Sequence, residues 1–144
     1  MNNEPARTTT VSDRAPRPVG PYPHARRAGG LLFLSGIGPR EPGSDRIPGN
    51  ILDDSGSVVR YDFAAQCHSV FRNVRVVLED SGARWDDIVD VTVFLTNMRD
   101  DFPALNKIYA DYFTSNRPTR TTVEVSRLPT PIAIELKVIA AVAP

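Results

Sequence analysis

The chain has 144 residues, the size of one domain and too short for two well-cored ones. Hydrophobic residues make up 41% and charged residues 24%, a folded rather than a disordered composition. Lys plus Arg and Asp plus Glu number 17 each; the zero net charge argues against bulk attraction to nucleic acid or an anionic membrane and leaves room for a local basic pocket.

Residues 1–20 are rich in Pro, Arg, Thr and Asn without a clear period and read as an N-terminal arm, with a short strand near Thr8 to Val11. The start has no apolar stretch of signal-peptide type. No run approaches the roughly 18 apolar residues of a spanning helix, so a cytoplasmic location without membrane contact is expected. Gly20-Pro21-Tyr22-Pro23-His24 is turn chemistry. Leu31 to Gly36 is a short apolar run that reads as a strand buried on both faces. Residues 37–60, dense in Pro and Gly among polar residues, read as a long loop, and loops of that length in compact domains are often functional.

Asp62 suits a helix N-cap. Phe63, Cys67, Val70, Phe71, Val74, Val77 and Leu78 then recur at spacings of three and four, up to Ser81-Gly82. The opposite face is expected to carry Gln66, Arg72, Asn73, Arg75 and Glu79. Val89 to Leu95 alternates as a strand. A second helix, capped by Asp100 or Asp101, presents Leu105, Ile108, Tyr109 and Tyr112 and breaks at Asn116 to Pro118. Thr121 to Ser126 reads as a strand and Leu128 to Pro131 as a turn. A last strand runs from about Ile132 to Val142, with Glu135 and Lys137 on the side opposite Ile134, Leu136 and Val138. The order predicts one α+β domain, a sheet with two helices packed on one face.

Cys67 is the only cysteine, which excludes an internal disulfide, and with His24 and His68 it cannot build a Cys/His zinc site. There is no Gly-rich phosphate loop. No metal and no cofactor are expected. Two residues could carry chemistry. Glu135 interrupts the most apolar strand, where a carboxylate is either solvated, beside Lys137, or buried with a partner. Arg120 opens a strand, and its planar fork can hold a carboxylate in two parallel hydrogen bonds; a plain strand-end arginine is the alternative. Cys67 reads as a small core residue and His24 as a turn residue.

The stretch Arg117-Pro118-Thr119-Arg120-Thr121-Thr122-Val123-Glu124-Val125-Ser126-Arg127-Leu128-Pro129, followed by Ile134-Glu135-Leu136-Lys137-Val138-Ile139-Ala140, resembles the signature of the Rid (YjgF-type) enamine/imine deaminases. Gly20-Pro21-Tyr22, Leu34-Ser35-Gly36, and Asn106 with Tyr109 and Phe113 fit the same family in order. The resemblance implies a chorismate-mutase-like fold and a homotrimer, barrel-like, with sites in clefts between subunits. It implies that Arg120 grips a substrate carboxylate and that Glu135 positions a water. Tyr22, Ser35, Gly36, Asn106 and Thr122 would line the site. Thr122 stands where many members carry cysteine, so a thiol role there is excluded.

The 37–60 segment is about a dozen residues longer than expected for housekeeping members. With Gly38-Pro39-Arg40-Glu41-Pro42-Gly43 and Ile47-Pro48-Gly49-Asn50 it resembles the 2-aminomuconate deaminase subgroup. That resemblance implies hydrolysis of an enamine/imine dicarboxylate to 4-oxalocrotonate and ammonia in aromatic catabolism. Arg40, Arg46, Arg127 and His24 are open candidates for the remote carboxylate. The competing readings are a general 2-iminopropanoate/2-aminoacrylate deaminase, a non-catalytic trimer that binds small carboxylates, and, by fold analogy alone, a chorismate mutase.

Overall fold

The computed structural model describes residues 8–143; the first seven residues of the expected arm, and Pro144, lie outside the described residues. A six-stranded mixed sheet runs in the order β1 (Thr9–Thr10), β2 (Ala25–Ala28), β3 (Leu31–Leu34), β8 (Ile134–Ala141), β6 (Ile88–Leu95), β7 (Thr119–Glu124). All neighbours are antiparallel except β6 and β7, which are joined through helix α2 (Met98–Tyr112) and are therefore parallel. Helix α1 (Phe63–Asp80) precedes β6 and packs on the same sheet.

The expected apolar stripe of α1 is the core. Phe63, Cys67, Val70, Phe71, Val74, Val77 and Leu78 are all buried against Leu32, Leu34, Val91, Val93, Ile134, Leu136 and Val138. Alternation in β6 and β8 sends every second side chain under the helices. The other face, with Thr92, Phe94, Glu135, Lys137 and Ile139, carries no helix and is only half-buried. An aromatic cluster of Phe71, Trp85, Tyr109, Tyr112 and Phe113 closes the far end of the helix layer.

Five expectations about the elements need correction, and one strand carried no sequence signal. Leu31 is 40% exposed and Phe33 half-buried, so β3 is fully buried on one face only, because no helix covers the other. Ala25–Ala28 is a strand, unmarked by apolar pattern because its order comes from pairing with β1 and β3 on either side. The expected loop 37–60 contains a hairpin, β4 (Asn50–Leu52) and β5 (Val58–Tyr61), whose side chains are mostly exposed and so show no buried alternation. Helix α2 starts at Met98 with Asn97 as its cap, accepting from the Asp100 N–H; Asp101 turns inward and accepts from the Tyr61 hydroxyl at 2.6 Å. Strand β7 spans 119–124 rather than 121–126, and β8 begins at Ile134, because Ile132 is held in the preceding turn by its N–H donating to the Thr130 carbonyl.

Gln66 and Asn73 do not lie on a solvated helix face. They are 0% and 1% exposed and are satisfied by loop backbone. The Gln66 amide accepts from the Ala133 N–H and donates to Asn50, both at 2.8 Å. The Asn73 amide donates to the Gly38 and Arg40 carbonyls. With Ser69, which donates to the Pro39 carbonyl at 2.8 Å, they form a polar edge beside the apolar stripe. That edge fastens the segment after β3 and the turn before β8.

Candidate active site

The candidate residues fall into two groups on opposite faces of the sheet. Glu135 pairs with Phe94 across β8 and β6, on the helix-free face. Its neighbours Ile134 and Leu136 go under the helices, so strand geometry forces Glu135 to the other side. The Ser35-Gly36-Ile37 segment runs alongside, tied by reciprocal hydrogen bonds between Ile37 and Leu136 at 2.8 and 2.9 Å. A Cβ at Gly36 would lie 2.8 Å from Oε2 of Glu135, so any side chain there would push the carboxyl from its place.

Burial pushes the Glu135 carboxyl above the ordinary glutamate range, with no neighbouring charge among the described residues to counter it. Lys137, two residues on and on the same face, donates instead to the Leu34 carbonyl, and burial holds its ammonium below the ordinary lysine range. The reading of a freely solvated Glu135–Lys137 face is therefore replaced by two half-buried groups with separate environments.

Tyr22, Ser35 and Gly36 share one cleft with Glu135, and Arg40 lies in its wall. Ser35 Oγ donates to the Pro23 carbonyl at 2.7 Å, which leaves its lone pairs free. Tyr22 is 41% exposed and its hydroxyl accepts from the Val19 N–H. His24, also in the wall, is buried; Nδ1 accepts from the Ser12 N–H at 2.9 Å and Nε2 donates to the Pro16 carbonyl at 2.7 Å. Both ring nitrogens are committed to holding the arm. Within one copy the cleft encloses about 40 Å³, room for a water or two.

Arg120, Asn106 and Thr122 form the other group. Arg120 is in register with Val91 and Thr122 with Val93, both on the helix side of the sheet. Arg120 Nη2 donates to the side-chain Oδ1 of Asn106 on α2 at 2.7 Å, and its guanidinium lies 4.7 Å from the centroid of the Tyr109 ring. Stacking and one hydrogen bond orient the fork while leaving other N–H groups unused. The buried Tyr109 hydroxyl has no partner among the described residues. Burial raises its pKa despite the opposing charge of Arg120.

The sequence reading missed Ser69 and placed Gln66 and Asn73 on a solvated face. Their spacing carries the signal: polar side chains at i, i+3 and i+7 bordering an apolar stripe mark a helix edge that receives backbone.

This arrangement, a mixed sheet with two helices on one face and a carboxyl and a guanidinium presented from its two sides, defines a small-molecule-binding α+β domain of chorismate-mutase-like fold. Residues 12–142 match the family described as Endoribonuclease L-PSP. The chain is 36% identical to a RutC family protein of Pyrococcus abyssi, over 94% of this chain and 97% of that protein. It is 35% identical to a 2-iminobutanoate/2-iminopropanoate deaminase of Dermatophagoides farinae, over 85% of this chain and 87% of that protein. The crystal structure of E. coli TdcF with bound serine superimposes with a TM-score of 0.80 at 30% identity, covering 94% of this chain and 98% of that one. The chain belongs to the Rid/YjgF/RutC family, which includes imine deaminases.

Proposed function

We propose that the protein is a cofactor-independent deaminase that hydrolyses the C=N bond of a 2-imino acid, with 2-aminomuconate as substrate. The observation that carries the reaction class is Glu135: a half-buried carboxyl of raised pKa, with no charge partner among the described residues, beside a water-sized cleft. The enamine tautomerises to the 2-imine. A water hydrogen-bonded to Glu135 attacks C2 and gives its proton to the carboxylate. The protonated Glu135 returns that proton to the nitrogen, giving a carbinolamine; the carboxylate then takes the hydroxyl proton and passes it to the same nitrogen as the C–N bond breaks, so the 2-oxo group forms and ammonia leaves. Arg120 holds the carboxylate next to C2, with its fork oriented by Asn106 and Tyr109. Ser35 and the Gly36 backbone border the nitrogen. The choice of 2-aminomuconate rests on the likeness of residues 37–60 to that subgroup.

Arg120 and Glu135 face opposite sides of one sheet, so a complete site needs them from different copies of the chain, as in a homotrimer with three shared clefts. The test is complementation. Arg120→Ala and Glu135→Gln chains are each expected to release little ammonia. When unfolded together and reassembled in equal amounts, about one quarter of the shared sites regain both residues, and activity returns to that order. A mixture that stays as inactive as its components overturns the shared site.

The likeness to the mite deaminase favours a second reading, in which small 2-imino acids are the substrates. Imines of 2-aminobutenoate and 2-aminoacrylate, compared with 2-aminomuconate in the same ammonia assay, decide between them by kcat/KM.

A further inference from the structure

The mechanism leaves two arginines of the Glu135 cleft unused, Arg40 and Arg17. Of the four candidates for a remote carboxylate, only Arg40 and His24 line that cleft. His24 is committed at both ring nitrogens. Arg127 lines a separate depression with Thr96 and Pro131, and Arg46 is exposed outside the cleft wall. Arg17 lines the cleft too, but it is exposed, and its carbonyl is what Arg40 binds.

Arg40 is built differently from a surface arginine. Its side chain is 15% exposed. Its carbonyl is anchored by Asn73 at 2.8 Å, and Nη2 donates to the Arg17 carbonyl at 2.5 Å. Among the described residues only Nη1 carries a counterion, Asp45 at 2.8 Å, and that aspartate side chain is 64% exposed. Asp45 also sits in the left-handed region, φ 59°, which β-carbon residues adopt at some cost. A fixed, largely buried guanidinium whose one carboxylate partner is solvated can exchange that partner for another carboxylate without uncovering charge.

We propose that Arg40 binds the distal carboxylate of a dicarboxylic 2-imino acid, displacing Asp45, and so selects dicarboxylates over monocarboxylates of equal length. This rests on the Glu135 cleft being the reaction site. In such a complex Arg120 of one copy and Arg40 of another hold the two ends of the substrate, with C2 at Glu135 between them.

The test is calorimetric binding of 2-oxoadipate and 2-oxohexanoate, stable acids that differ only at the far end. The wild-type protein is expected to bind 2-oxoadipate about 10-fold or more tightly than 2-oxohexanoate, the worth of one charge-assisted hydrogen-bonded pair. Arg40→Met abolishes that preference and leaves 2-oxohexanoate within about two-fold, since the apolar chain still fits. Asp45→Asn, which removes the competing carboxylate, strengthens 2-oxoadipate binding and leaves 2-oxohexanoate unchanged. Equal binding of both acids by the wild type, or an equal loss of both in Arg40→Met, overturns the assignment. If Arg40→Met fails to fold, Asp45→Asn decides, and an unchanged preference in it has the same consequence. A binding preference without ammonia release overturns the deaminase reading and leaves this one standing. Deamination of both acid types at rates unchanged by Arg40→Met does the reverse.

Discussion

Gly36→Ala separates the chemistry of Glu135 from the stability of the fold. The new Cβ would lie 2.8 Å from Oε2 and 3.0 Å from Cδ of Glu135. Ordinary contact begins near 3.4 Å, so the carboxyl has to retreat by about 0.6 Å. It is the free end of a flexible side chain and can do so for about 1 kcal/mol of rotamer strain. Gly36 is absent from the positive-φ glycines, so alanine fits its backbone and narrows the unfolded ensemble by about 0.4–1 kcal/mol in compensation. The melting temperature is therefore expected to stay within about 4 °C of the parent. Turnover is not protected in this way. A displacement of about 1 Å can cost 100-fold, so a roughly 10- to 100-fold fall in kcat is expected. Initial rates of ammonia release and a thermal melt by circular dichroism measure both. A folded variant with full kcat would refute the role of Glu135 in placing water. A melting temperature lower by more than about 10 °C would refute the freedom of its carboxyl to move.

Three other outcomes follow from the same geometry. Arg120→Ala is expected to lower kcat/KM by about 100-fold or more, and Asn106→Ala by about 10-fold, because the guanidinium remains but loses one orienting bond; equal losses would mean that Asn106 does more than orient. Burial favours protonated Glu135, so the native state holds more protons than the unfolded chain between the ordinary glutamate value of 4.5 and the raised one, and stability falls as pH rises through that window. Glu135→Gln should thus melt above the parent at pH 7 and converge with it below pH 4.5, while losing kcat; a lower melting point at neutral pH would show that the carboxylate is held by a partner. Gln66→Leu strands the Ala133 N–H and should cost about 2–3 kcal/mol in urea unfolding followed by Trp85 fluorescence, and a change under about 0.5 kcal/mol would show that the amide staple is replaceable.

Much of the architecture was legible because it is local. The three- and four-residue spacing from Phe63 to Leu78 specifies one helix face, and that face is the core. The alternation from Ile134 to Ala140 specifies which side chains go under the helices, and so puts Glu135 and Lys137 together on the other side. Where the pattern was silent, the cause was tertiary. Ala25–Ala28 carries two arginines and becomes a strand only between two partners. Gln66 and Asn73 are polar by type and buried because loop backbone arrives to meet them.

The sequence by itself determined both helices, the strands with apolar patterning, the family likeness and the residues with chemistry to offer. The structure decided which of them meet. Parity along one strand says nothing about parity in another, because register between β6, β7 and β8 is set by packing and by the α2 crossover. That register sends Arg120 and Glu135 to opposite faces. It also leaves Arg40, one arginine among many in the sequence, in the wall of the Glu135 cleft.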